Sequence, residues 1–365
     1  MLPRVIQPRH MIAMASAVLA LAGCGVSGTR DEGAGRGRAP AAMRSGVAVE
    51  EIARVPLTRA RSVAVAGDHA FVSRILDGMT AVDLRDVSAP RVAREFAPGE
   101  IQPLEIAADG TRLYIADRFR GLVVWDAARP DDPTSLSATP LPGIATGVRL
   151  ARAGDRRLAL VACGGAGLSV VDVTHPERPD VVGRWNSDTD YARSVDTHGS
   201  LAFLADNADG GLRVIDLSDP ARPTLAGSYL MRGFAESARV NDGLLVAAWR
   251  TGGTRVFRLG GAGRDATTAP LPACTVYRSR SRSHDAMVLG APPEGASPAG
   301  RRLMAVADDV NGIDLYDIAR PDLPLLVGGM DTDAAASGLA EFRGHLLAAC
   351  WDAGLLVARI SDGGR

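Results

Sequence analysis

A six-residue segment, glycine, leucine, any residue, valine, an apolar residue and aspartate, recurs along the chain and restricts its fold more than any other feature. It appears as Gly121-Leu122-Val123-Val124-Trp125-Asp126, Gly167-Leu168-Ser169-Val170-Val171-Asp172, Gly211-Leu212-Arg213-Val214-Ile215-Asp216 and Gly312-Ile313-Asp314-Leu315-Tyr316-Asp317. Weaker copies start at Gly78, Gly253 and Gly354. Their starts lie roughly 42 to 46 residues apart, with one longer interval before Gly312, and a period of that size belongs to a four-stranded propeller blade. Seven copies predict an all-β chain folded as a seven-bladed β-propeller.

Each period repeats one grammar. A short strand such as Arg61 to Val65 reaches a Gly67-Asp68 turn, and a second strand, His69 to Ser73, follows, both read as alternating, half-buried β-structure. The glycine-to-aspartate strand comes third. A proline-bracketed turn, as in Asp219-Pro220-Ala221-Arg222-Pro223 and His175-Pro176-Glu177-Arg178-Pro179, then leads to a fourth strand such as Thr224 to Tyr229. Proline fixes φ and removes a donor, so these pairs mark turns at a sheet edge. The last repeat ends after Leu355 to Ile360 without a fourth strand, and Glu50 to Leu57 reads like the missing one. An N-terminal strand completing the last blade would join the two ends and remove open edges.

With those strands in view, the chain resembles the LVIVD-repeat family of bacterial surface and envelope β-propellers, over about Val49 to Ile360. The match is strong in the second, third, fourth and sixth repeats. The fifth and seventh depart from it, with Arg258 and Arg359 in the aspartate position. The resemblance implies a fold and an envelope location but no reaction, so function has to be argued from the site.

The N-terminus supplies a location of its own. Arg4 and Arg9 precede an apolar stretch from Met11 to Ala22, too short to cross a bilayer of roughly 30 Å. That stretch ends Leu21-Ala22-Gly23-Cys24, which resembles the bacterial lipobox, and the resemblance implies acylation of Cys24 as the first mature residue. Residues 1–23 are read as a lipoprotein signal peptide, 24–47 as a flexible tether poor in large apolar residues, and 48–362 as the propeller. Gly25 stands where an inner-membrane retention signal places aspartate, so the analogy favours the outer membrane or cell surface.

Composition narrows the chemistry. All 41 basic residues are arginine, which excludes Schiff-base lysine catalysis and a Walker-type phosphate loop. A formal net charge of -1 gives no pull towards nucleic acid. No cofactor motif, zinc-type Cys/His spacing, Gly-x-Ser-x-Gly elbow or Ser-x-x-Lys motif occurs, so neither a cofactor nor a metal is expected. Cys163, Cys274 and Cys350 are an odd count, which leaves at least one free thiol in an oxidising compartment, and Cys163 and Cys350, in blades that are not neighbours, read as buried apolar residues. His69, His198 and His345 fall in separate first-to-second-strand turns, where they cannot converge on a metal.

Several constellations remain as sites. The repeated Asp83, Asp126, Asp172, Asp216 and Asp317 precede proline turns, where Asp side chains cap backbone N–H groups; a metal-binding ring is the alternative. Loops joining second to third strands and fourth to next first strands share one face of a propeller. They carry Arg74, Asp117, Arg118, Asp206, Asn207, Asp209, Trp249, Arg250, Asp308, Asp309, Trp351 and Asp352, read as a mixed-charge rim with two tryptophans. Asp206-Asn207-Ala208-Asp209-Gly210 spaces oxygens as calcium loops do but lacks the distal Glu, so it reads as a loop turn. Alignment on the turn glycines puts Arg61, Arg193 and His284 at one level beside the channel. There they either hold a carboxylate or phosphate, or pair with Asp285, Asp190 and Asp188. The basic run Arg278-Ser279-Arg280-Ser281-Arg282-Ser283 would suit anionic headgroups or surface polymer, with a solvated loop as the alternative. The candidate ligand-binding residues are thus Arg61, Arg193, His284, Asp308, Asp352 and Trp351. They point to a non-enzymatic binding or interaction scaffold on the membrane surface, with an envelope protein, glycan or small anion as partner. The alternative is a propeller hydrolase or lyase using His284 with Asp308 or Asp309 at the channel mouth.

Overall fold

The computed structural model describes residues 46–362 apart from 187–190, 208–210, 231–232, 261–274, 278–281, 291–300 and 310–311. The segment read as a signal peptide, Cys24, most of the segment read as a tether, Asp188, Asp190, Asp209, Cys274 and the run from Arg278 to Ser281 therefore lie outside the described residues. Among the described residues there are 28 strands, arranged as seven four-stranded antiparallel sheets. Blades 1 to 6 cover residues 60–96, 103–139, 147–185, 192–230, 235–277 and 283–330 in chain order. Blade 7 takes three strands from residues 338–362 and its outer strand from Val47–Val55. That strand runs antiparallel to Gly354–Asp362, from Val47 opposite Asp362 to Val55 opposite Leu355, with a bulge between Glu51 and Ala53.

The ring closes through its core. Seven apolar clusters form, each between two adjacent blades: Phe71 and Met79 of blade 1 with Ile106 and Trp125 of blade 2, and onwards to Leu315 of blade 6 with Leu346 of blade 7. The final junction joins Val55, Leu347 and Val357 to Val63, Val72 and Val82. Seven junctions for seven blades leave no blade face unpaired. This corrects the reading of the second strands as half-buried. Leu201–Asp206 and Leu303–Asp308 are buried at every residue, because a blade packs against a neighbour on both faces. Outer strands such as Arg91–Phe96 stay largely open to solvent.

The repeated glycine and aspartate have separate physical reasons. Gly78, Gly121, Gly167, Gly253, Gly312 and Gly354 all take φ between 76° and 86° at the start of a third strand. A Cβ on Gly121 would stand 2.3 Å from the Thr139 carbonyl oxygen, and one on Gly354 would stand 2.1 Å from that of Val55. Glycine is needed both for the left-handed backbone and for the outer strand's approach. Replacing Gly121 by Ala is expected to cost about 2 to 3 kcal/mol in urea unfolding, against about 1 kcal/mol for Gly110→Ala, since Gly110 shares the positive φ but borders open space. Equal costs would show that backbone approach does not set the motif.

The aspartates cap turns. Asp83, Asp126, Asp172, Asp216 and Asp317 each accept, through Oδ1, the backbone N–H two residues on, at 2.8 to 3.0 Å. Cys163 and Cys350 are buried free thiols, and burial pushes Cys350 up to about 12, so neither is a reactive thiolate near neutral pH.

Candidate functional site

The inner strands of the blades line a central channel, and their side chains build two tiers there. The deeper tier is ionic. Arg149 Nη1 of blade 3 donates to Glu105 Oε1 of blade 2 at 2.6 Å, and Arg149 Nε lies 3.8 Å from Asp196 Oδ2 of blade 4. Asp196 Oδ2 accepts the Val240 N–H of blade 5 at 2.8 Å. Arg239, beside Val240, donates to Asp285 of blade 6 at 2.5 Å, and Asp285 Oδ2 also accepts the Leu339 N–H of blade 7 at 3.0 Å. Each link reaches one blade further, so a polar chain runs around the channel from blade 2 to blade 7. Burial pushes the Glu105 and Asp196 carboxyls above their ordinary range, with Arg149 pulling against it in both cases. On the side of this tier towards the first-to-second-strand turns lies a cavity of about 380 Å³, walled by Val63, Val65, Ile106 and Met287.

On the other side, at the mouth, lies a cavity of about 340 Å³. Arg61, Arg193, Arg250 and His284 line it together with Glu236, Tyr191 and Trp351. Glu236 is gripped from both sides, its Oε2 3.1 Å from Arg193 Nε and its Oε1 2.9 Å from Arg250 Nε. Arg61 is half-buried and pairs with no carboxylate among the described residues. His284 Nε2 stands 3.5 Å from Asp309 Oδ1. Arg239, Glu105 and Asp285 also reach this cavity from the deeper tier, so its lining carries four guanidiniums against three carboxylates, a surplus of one. In a partly desolvated pocket such a surplus attracts carboxylate or phosphate.

The mouth gathers four of the six candidate residues: Arg61, Arg193, His284 and Trp351. Asp308 instead ends a second strand and is fully buried. Asp352 is exposed on the rim, where its Oδ1 accepts the Arg59 N–H at 3.1 Å. The suggested local pairing is corrected for the described residues: Arg193 pairs with Glu236 of the next blade, and Asp285 pairs with Arg239. The two-tryptophan rim is corrected too. Trp249 is fully buried against Phe203, Leu212 and Phe257, and Trp351 alone of the pair reaches the surface, at 36% exposure. Asp117 and Asp206, assigned to the same rim, are buried loop staples. Asp117 accepts N–H bonds from Gln102, Phe119 and Arg120, and Asp206 accepts one from Tyr191.

Sequence reasoning missed Glu105, Arg149, Asp196, Arg239 and Glu236. One signal marks them: partners lie one blade apart, with Glu105 to Arg149 44 residues, Arg193 to Glu236 43 and Arg239 to Asp285 46. Opposite charges on inner strands, offset by one period, face each other across a blade junction.

Comparison with known proteins agrees with this architecture. The family model described as the LVIVD repeat matches residues 58–96 and 190–231, the first and fourth blades. No curated protein matches the chain. Among solved structures, the computationally designed Ika8 protein is similar at 9% identity and a TM-score of 0.57, covering 85% of this chain and 99% of its own. That likeness concerns the fold alone. The chain is a seven-bladed β-propeller that carries LVIVD repeats.

Proposed function

We propose that this protein is a non-enzymatic binding scaffold of a bacterial cell envelope, held at the outer membrane or cell surface by lipid on Cys24 and engaging its partner through the channel mouth. The observation that carries the reading is the mouth cavity itself, where Arg193 and Arg250 share Glu236 and Arg61 has no ion-pair partner among the described residues. A purely architectural role would suit a filled channel, whereas this one holds cavities on both sides of its ionic tier. Two or three acyl chains, at about 0.8 kcal/mol per buried methylene, would hold the domain at the membrane durably.

Two measurements test this. Mass spectrometry of the mature protein should find acyl chains on an N-terminal Cys24, and Cys24→Ser should release the protein from membranes. Pull-down from envelope extract should retain a species that the Arg61, Arg193 and His284 triple-alanine variant loses. An unchanged profile contradicts the mouth as the binding surface. A hydrolase or lyase at the same mouth is the second reading, favoured by the 3.5 Å approach of His284 to Asp309. It would require turnover of the captured species that His284→Ala abolishes.

A further inference from the structure

We propose that the mouth cavity binds a small organic anion, with its carboxylate or phosphate on Arg61 and its planar apolar part against Trp351. This names the ligand class for the mouth-binding reading above and rests on it. Of the three arginines at the mouth, Arg193 and Arg250 already share Glu236, and Arg61 pairs with no carboxylate among the described residues. A half-buried guanidinium that faces a cavity with no ion-pair partner of its own is a ready seat for an anion. A further donor faces the same space. Ser237 is only 7% exposed, lines the cavity, and its Oγ has no hydrogen-bond partner. The Ser237 O–H can donate to an oxygen of the anion.

The apolar half of the site is held rigidly beside Arg61. Ala60 and Trp351 exchange two backbone hydrogen bonds, at 3.0 and 2.9 Å, and Ser337 Oγ donates to the Arg61 carbonyl at 2.9 Å. Five described non-glycine residues have positive φ, and three of them, Arg59 (55°), Leu76 (66°) and Trp351 (33°), belong to the loops at this junction of blades 7 and 1. The other two, Asp242 and Arg343, precede glycines in hairpin turns of the opposite face. Strained backbone held by its surroundings concentrates where a side chain has to be aimed, and here it presents the Trp351 indole to the cavity. Tyr191 adds a second ring to the wall. A volume of about 340 Å³ fits a small ligand and not a folded partner.

The test uses the full chain in detergent, titrated calorimetrically and by tryptophan fluorescence. The probes are 2-naphthoate, 2-naphthyl phosphate, inorganic phosphate and uncharged 2-naphthalenemethanol. The two naphthyl anions should bind about tenfold or more tightly than both inorganic phosphate and the alcohol, and their order separates a carboxylate from a phosphate ligand. Arg61→Ala should weaken both anions about tenfold, with partial recovery in Arg61→Lys. Trp351→Ala should shrink the advantage of naphthyl phosphate over inorganic phosphate. Should Arg61→Ala fail a melting control, Arg61→Gln and the salt dependence of wild-type binding replace it. Equal binding of the alcohol, no binding of either anion, or wild-type affinity in a folded Arg61 variant would overturn the proposal. If the anions fail to bind while envelope pull-down still depends on Arg61, Arg193 and His284, this inference falls and the mouth reading stands. If the pull-down is also insensitive, both fall.

Discussion

Deleting residues 47–57 is expected to abolish cooperative unfolding and leave a chain that aggregates or elutes as an expanded species. The deleted segment supplies the outer strand of blade 7, paired with Leu355–Asp362 from Val47 to Val55 apart from the bulge between Glu51 and Ala53. It also supplies Val47, Val55 and Leu57, all buried and contributing to the clusters on both sides of blade 7. Each such side chain contributes about 1.5 to 3 kcal/mol, so the three alone approach the marginal stability of an ordinary domain, about 5 to 15 kcal/mol. The deletion also bares a row of ladder N–H and C=O groups on Gly354–Asp362, an edge prone to pairing between molecules. Urea unfolding with size-exclusion chromatography reads the outcome, and a synthetic peptide of residues 47–57 should restore part of the fold in trans. A truncated chain with the parent's midpoint and elution volume would show that closure does not depend on this strand.

Arg149→Ala is expected to cost about 3 to 5 kcal/mol near neutral pH. The change strands Glu105 and Asp196 in the channel, where they expose only 14% and 16% of their side chains. The pH dependence has a defined sign. Burial raises both folded-state carboxyl pKa values above those of the unfolded chain. The folded state therefore holds these protons more tightly. Their contribution is most favourable below the ordinary carboxylate range and declines as pH rises through the raised folded values. Removing the guanidinium that opposes the shift enlarges it, so the gap between variant and parent should narrow steadily on acidification towards pH 4. Denaturant midpoints at pH 4 and pH 7 check this. A gap that is constant or widens in acid would contradict the assigned role of Arg149.

The fold was legible because its signal is local and repeated. The motif glycines answer to a backbone conformation, the aspartates to a turn two residues long, and the missing fourth strand to a count of strands at each end. Misreadings arose where an environment is shared between blades. Trp249 ends a second strand just before a loop, so its sequence neighbours suggest a rim, yet that position packs into the junction with the blade beside it. Asp308 is misleading for the same reason. Arg193 has acids close in sequence, at Asp188 and Asp190, as one alternative partner set, yet its inner-strand position turns it towards Glu236 in the following blade. The level shared by Arg61, Arg193 and His284 was recoverable from the turn glycines, because register within an inner strand fixes height along the channel. The ionic tier was not recovered, since its charges occupy different heights on successive strands and show themselves only when compared one period apart.

The central claim is that the molecule engages its partner at the channel mouth. Hydrogen exchange of the full chain, measured before and after capture of its envelope partner, tests it most directly. Protection should rise in the loops around 57–60, 74–77, 191–193, 249–251 and 350–353, and the turns at Gly67, Gly154 and Gly243 on the opposite face should exchange as before. Protection confined to those turns, or to the outer strands, would contradict it.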